Sequence, residues 1–124
     1  MKAGAVTVLV VDDQDGIRQL LYEILISEGF KVKTASNGYK ALELLETSPP
    51  VILIIDMKMP GMSGLEVLKK IKEEGYKCLP ILMTAYGELE IVKDAAALGV
   101  SHFINKPFDI DQFRQLIFHV ADEL

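Results

Sequence analysis

A chain of 124 residues, half of them apolar and a quarter charged, has room for one domain with a real core and is neither disordered nor long enough for two. The net charge is −5 and no Lys/Arg cluster stands out, so direct binding of nucleic acid is not expected. No apolar run approaches the ~18 residues of a membrane helix or forms a signal-peptide core, and Cys78 is the single cysteine, so no internal disulfide forms and a reducing cytoplasm is the expected location. Along the chain, short apolar runs alternate with segments of helical period, the pattern of βα units around a parallel sheet. The first strand is read over 7–12, where Val8-Leu9-Val10-Val11 runs into Asp12-Asp13. A helix follows over 16–28, with Ile17, Leu20, Leu21, Ile24 and Leu25 at offsets of three and four as the face toward the sheet and Gly29 at its C′ position. A strand over 31–35 leads through the turn residues Asn37-Gly38 into a helix over 38–48. Val51-Ile52-Leu53-Ile54-Ile55 shows no alternation, as suits a central strand covered on both faces, and the strand over 51–56 ends on Asp56. Pro60-Gly61 marks a turn, and Ser63, with Glu66 three residues on, caps a helix over 64–74. The strand over 79–84 starts beside Cys78, read as a packing residue, and ends on Thr84. A helix over 88–98, a strand over 101–105 and a helix over 110–123 capped by Asp109 complete the five units; His102 and His119 read as surface residues without a catalytic role.

Asp12, Asp13, Asp56, Thr84 and Lys106 thus fall at the C-terminal ends of four strands, the edge on which open parallel sheets place their ligand sites. Singly, such an Asp is more often a turn or helix cap, such a Thr a β-branched strand residue, and such a Lys a solvated charge. Together they need a different explanation. Adjacent carboxylates repel each other and cost desolvation unless a cation joins them. A third carboxylate from Asp56 makes a hard oxygen site that suits Mg²⁺, which takes few carboxylates and keeps positions for water or phosphate; Ca²⁺ would want a looping ligand series that is absent. Lys106 then stands as a point charge for a phosphoryl group, and Thr84 as a hydrogen-bond donor to it.

Val10-Val11-Asp12-Asp13, the run from Asp56 through Met57-Lys58-Met59-Pro60-Gly61-Met62-Ser63 to Gly64, Met83-Thr84-Ala85 and Lys106-Pro107-Phe108 resemble, in order and spacing, the signature of receiver domains of two-component response regulators. Asp13-Gln14, Gly16-Ile17-Arg18, Asp56-Met57-Lys58, Thr84-Ala85-Tyr86-Gly87-Glu88-Leu89 and the run from Lys106 to Asp111 are further similar to single-domain phosphorelay regulators of spore-forming bacteria, which carry phosphate between histidine kinases and a phosphotransferase. The resemblance implies one doubly wound, flavodoxin-like (βα)5 receiver domain over 1–124, its five-stranded parallel sheet in the order 2-1-3-4-5. It implies Asp56 as nucleophile and phosphoacceptor, with Thr84 and Lys106 binding the phosphoryl oxygens. It implies Mg²⁺ held by Asp13, Asp56 and the backbone carbonyl of Lys58, with Asp12 acting through water, and a cis Lys106-Pro107 bond. A switch follows from it, in which Thr84 moves toward the phosphoryl group and vacates space for Phe103; static packing of Phe103 is the competing reading. The implied partners are a sensor histidine kinase and a histidine phosphotransferase, met by a monomer that is a phosphoacceptor and not a turnover enzyme.

Lys58 and Tyr86 each stand two residues beyond a site residue and flank the route of an attacking water. Neither is an acid or carboxamide suited to orienting one, so a long-lived acyl phosphate is expected. Gln14, Ile17, Leu20, Tyr86, Pro107 and Phe108, if exposed, form an apolar rim suited to a four-helix bundle, with Ile17 the stronger candidate for exposure and Leu20 having the core as its alternative. Three other readings stand beside the relay. One is the same receiver within a longer transcription factor, where phosphorylation drives dimerisation through the fourth and fifth helices. One is a magnesium phosphohydrolase, against which Lys58 occupies the place of a second acid. One is an FMN carrier, whose phosphate three acids would repel. The end at Leu124, directly behind the fifth helix, favours the stand-alone relay.

Overall fold

Five strands, β1 (Thr7–Val11), β2 (Lys31–Ala35), β3 (Ile52–Asp56), β4 (Leu79–Ala85) and β5 (His102–Lys106), alternate with α1 (Asp15–Ser27), α2 (Gly38–Thr47), α3 (Gly64–Glu74), α4 (Leu89–Ala97) and α5 (Ile110–Asp122). The computed structural model describes residues 4, 6–50, 52–85 and 88–124, so the expected strand start at Val51 lies outside the described residues. All pairings are parallel and the strand order is β2-β1-β3-β4-β5. The register sets Val11 opposite Ala35 and Ile55, Asp56 opposite Met83, and Thr84 opposite Asn105, which brings the strand ends into one line. This is the doubly wound flavodoxin-like architecture expected from the chain, with boundaries shifted by a residue or so. Two shifts bear on the site: β4 runs on to Ala85, so Thr84 lies inside a strand, and β5 takes in Lys106.

Because strand side chains alternate, the apolar runs serve two cores. Val8, Val10, Ile52, Ile54, Ile81, Met83 and Ile104 meet α1 and α5, where Leu21, Ile24, Leu25, Phe113, Ile117 and Val120 are buried. Leu9, Val11, Leu53, Ile55 and Leu82 meet Ala41, Leu45, Val67, Leu68, Ile71 and Ala95 from α2, α3 and α4. Ile52, Leu53, Ile54 and Ile55 have no exposed surface. At ~1.5–3 kcal/mol for each such side chain buried, β3 is held too firmly to slide, and it delivers Asp56 to a fixed place.

The local signals act as read. Gly29 takes φ +92° behind α1, Asn37 accepts the Lys40 N–H at 2.9 Å, Ser63 accepts the Glu66 N–H at 3.2 Å, and Asp109 accepts the Asp111 N–H at 2.8 Å. One ordering is reversed. Ile17 is half-buried and packs on the α1/α5 core, whereas Leu20 is exposed. The reason is helical phase: Leu21, Ile24 and Leu25 define the inward face, Ile17 lies one turn before Leu21 on that face, and Leu20 is turned about 100° away from it. Among the described residues no helix is long and apolar enough to cross a membrane.

Candidate functional site

Asp12 follows the last residue of β1 and is fully buried, yet every polar group it offers is engaged. Its N–H donates to the Ala35 carbonyl at 3.2 Å, its carbonyl accepts from Arg18 at 2.8 Å, one carboxylate oxygen accepts the Gln14 N–H at 2.9 Å, and the other accepts Lys106 Nζ at 2.8 Å. Asp13, the next residue, is exposed. Asp56 at the end of β3 is 8% exposed and lies 3.3 Å from the same Nζ. Asp12, Asp13 and Asp56 each bring a carboxylate oxygen within 4.8 Å of the others. The Lys106–Pro107 peptide is cis.

Burial first, and then the neighbouring charges of Asp12 and Asp13, push the Asp56 carboxyl above its ordinary value, against the pull of Lys106. For Lys106 itself burial works downward, but the Asp12 hydrogen bond and the charges of Asp56 and Asp12 outweigh it and hold the ammonium above its usual value. Lys106 is therefore a firm cation that offsets only part of the acidic cluster. Three carboxylates against one ammonium leave two negative charges on oxygen donors, the complement of a hard divalent cation.

The remaining expected residues are placed as follows. Thr84 is buried beside the cluster, but its hydroxyl donates to Asn105 Oδ1 at 2.9 Å. Phe103 is half-buried and packs on the α2–α4 side of the sheet. Lys58 is exposed between the buried side chains of Met57 and Met59. Gln14, Ile17, Leu20, Lys106, Pro107 and Phe108 line one groove beside the acids. Tyr86 lies outside the described residues. Cys78 is half-buried, and burial pushes its thiol up to about 11, in keeping with packing rather than reactivity. His102 departs from its reading as a surface residue. Its side chain is 13% exposed and its Nε2 lies 3.0 Å from Glu123, because the end of α5 folds back over the start of β5.

Four further residues shape the site, and none was assigned a role from the sequence. Arg18 bridges the Asp12 carbonyl and Asp15, Asn105 takes the Thr84 hydroxyl, and Glu88 accepts the Ala85 N–H at 2.7 Å. Gly64 is the fourth: a Cβ there would stand 2.4 Å from the Asp56 carbonyl oxygen. Arg18, Glu88 and Gly64 fall within the runs that resemble receiver domains, and Arg18 is also the basic partner three residues after Asp15 on a helix.

A doubly wound sheet with buried acids and a lysine at its carboxyl edge defines a class, and comparison with known proteins agrees. Residues 8–118 match the response regulator receiver domain, and the chain belongs to that family. It is 43% identical over 110 residues to sporulation initiation phosphotransferase F of Bacillus subtilis (strain 168), covering 89% of each chain. It is 39% identical over 110 residues to the DNA-binding transcriptional regulator NtrC of Escherichia coli (strain K12), covering 89% of this chain but 24% of that protein. Among solved structures, chemotaxis protein CheY4 of Vibrio cholerae superposes with a TM-score of 0.87 at 27% identity, covering 93% of this chain and 98% of that one. As a receiver of two-component signalling, the chain is a phosphoacceptor whose phosphodonors are partners such as histidine kinases.

Proposed function

We propose that this protein is a cytoplasmic, monomeric relay: it takes a phosphoryl group from a phosphohistidine onto Asp56 and hands it to a second histidine, in sporulation signalling. The observation that carries the reading is the position of Asp56, an acid at a rigid strand end, closed in by Asp12, Asp13 and Lys106. Asp13, Asp56 and the Lys58 carbonyl would hold Mg²⁺, with Asp12 acting through water. That ion would supply the charge neutralisation an incoming phosphoryl group needs. A carboxylate oxygen of Asp56 attacks phosphorus, the O–P bond forms as the P–N bond breaks, and the donor imidazole leaves with the electron pair. Lys106 turns from Asp12 toward the new phosphoryl oxygens, and Thr84 gives up Asn105 to donate to them. Likeness to the sporulation phosphotransferase over 89% of both chains supports the relay. Likeness to NtrC supports the second reading, a receiver whose phosphorylation controls an attached output domain.

The groove beside Asp56 offers Leu20, Pro107 and Phe108 to a helical bundle carrying the reacting histidine, with Ile17 forming its floor. Incubation with Mg²⁺ and a small acyl-phosphate donor, followed by mapping of the label, tests the acceptor. Label at any other residue defeats the mechanism. Addition of a histidine phosphotransferase separates the two readings: in a relay the label moves, and in a terminal switch it stays.

Two predictions concern the hold on phosphate. Lys58, exposed two residues beyond Asp56, has no group suited to orienting a water, so Lys58→Asn, which has one, is expected to shorten the half-life of phospho-Asp56 by on the order of tenfold. An unchanged half-life in Mg²⁺ removes this role. Asn105→Ala leaves the Thr84 hydroxyl without its present acceptor and free to meet the phosphoryl group. A neutral hydrogen bond contributes ~0.5–1.5 kcal/mol, so the donor concentration for half-maximal phosphorylation is expected to fall roughly two- to tenfold. A rise would mean that Asn105 itself helps to bind the phosphoryl group.

A further inference from the structure

Three helices have an N-cap side chain that serves the helix it precedes: Asn37, Ser63 and Asp109. Glu88, at the N-cap of α4, turns the other way. Its side chain makes no cap bond to α4, and its Oε1 instead accepts the Ala85 N–H, three residues back, at 2.7 Å. Glu88 is half-buried, and its second oxygen, Oε2, is buried with no hydrogen-bond partner among the described residues. A carboxylate so placed gives up solvation for a single bond and keeps little to hold it there once that bond is lost.

Strand polarity shows where the Ala85 N–H points. Along a strand, the N–H and C=O of one residue face the same neighbouring strand, and successive residues alternate between the two neighbours. The Met83 carbonyl accepts the Met57 N–H at 3.1 Å, so it faces β3, and the Ala85 N–H, two residues on, faces that side as well. The next rung would join the Ala85 N–H to the Met57 carbonyl. That carbonyl is taken by the Gly64 N–H at 2.9 Å, because the chain leaves β3 after Asp56 to begin α3. The Ala85 N–H is thereby left facing the space beyond the end of β3, one residue after Thr84. It is a fixed backbone donor at the edge where Asp56 stands, and Glu88 already occupies it. A carboxylate and a phosphoryl group are both anionic acceptors, and crowding them onto one N–H sets their charges against each other.

We propose that Glu88 is a latch on the unphosphorylated state: its carboxylate holds the Ala85 N–H that a phosphoryl group on Asp56 takes over, and phosphorylation releases Glu88 and the start of α4. The inference rests on Asp56 as the acceptor. Unaltered protein, Glu88→Ala and Glu88→Gln are titrated with acetyl phosphate in Mg²⁺, steady-state label on Asp56 is measured, and melting is recorded before the donor is added. Glu88→Ala should lower the donor concentration for half-maximal labelling about fivefold or more, while the resting protein melts lower because the 2.7 Å bond is gone. A residue with a structural role alone would not move the two in opposite directions. Glu88→Gln keeps an oxygen acceptor without the charge and should fall between Glu88→Ala and the unaltered protein. Exchange of the Ala85 amide hydrogen, followed by NMR without donor, should quicken in Glu88→Ala. No label on Asp56 in the unaltered protein overturns the acceptor assignment and the latch together. Normal labelling of the unaltered protein with an unmoved or raised half-maximal concentration in Glu88→Ala overturns the latch alone. So does a Glu88→Gln variant equal to Glu88→Ala, which would assign the effect to charge and not to the bond.

Discussion

Asp56→Asn is expected to make the protein more heat-stable and at the same time unable to take up phosphate. Both effects come from one carboxylate. Burial and the adjoining acids push the Asp56 carboxyl up in the folded state, so the native protein holds that proton more tightly than the unfolded chain. Ionising the group therefore costs stability. The cost is absent below the ordinary carboxylate value of ~3.9 and grows as the pH rises through the folded value. Asparagine removes it. In Mg²⁺-free buffer at pH 7 the variant should melt above wild type. The difference should vanish near pH 3.5, and added Mg²⁺ should raise the melting temperature of wild type more than that of the variant. With a radiolabelled phosphodonor, incorporation in the variant should fall to background. Circular dichroism melts across pH decide the first half: a variant melting below wild type at pH 7 without Mg²⁺ would mean that the 3.3 Å contact with Lys106 outweighs the repulsion.

Gly64→Ala should be the most damaging single methyl group in this part of the fold. Gly64 opens α3, and its N–H donates to the Met57 carbonyl at 2.9 Å, which draws the helix start against the end of β3. A Cβ would fall 2.4 Å from the Asp56 carbonyl oxygen and 3.1 Å from the Met57 Cα, both backbone atoms with no rotamer to yield. Either α3 or the Asp56 backbone has to move. Overpacking of this kind costs ~2–4 kcal/mol, so the melting temperature should drop by roughly 10 °C or more, with phosphorylation slowed because Asp56 is displaced. Gly16 is the control of opposite sign. It lies in the first turn of α1 with no heavy atom within 4 Å of its would-be Cβ, and alanine there should stabilise by ~0.5–1 kcal/mol. Denaturant melts of the two variants decide the matter, and a wild-type midpoint for Gly64→Ala would remove the contact.

Much of this protein is legible before any coordinates. Apolar runs of four or five residues between segments of helical period announce βα units, because a parallel sheet covered on both faces needs strands with no polar side. The polar residues that end those runs announce the edge, because strands packed in parallel all end on one side. The caps at Ser63 and Asp109 are local too, as is the turn at Asn37, which proves to cap α2, each satisfied within three residues of chain. Ile17 and Leu20 were read in the wrong order because both lie within the apolar arc of α1, and only the burial of Leu21, Ile24 and Leu25 fixes the helical phase that turns Ile17 inward and Leu20 outward.

The amino-acid sequence alone determined the order of elements, the fold class and the set of acids, hydroxyl and lysine at the strand ends, since each depends on short-range periodicity or on strand polarity. Only the tertiary structure decided what those groups do to one another. It gave Lys106 to Asp12 at 2.8 Å across 94 residues of chain, turned Thr84 toward Asn105, pressed Gly64 against the Asp56 carbonyl and joined His102 to the end of α5. Each of these depends on register between strands or on the seating of a helix on the sheet. Those distances follow from packing both faces of the sheet at once, and no local stretch of sequence carries them.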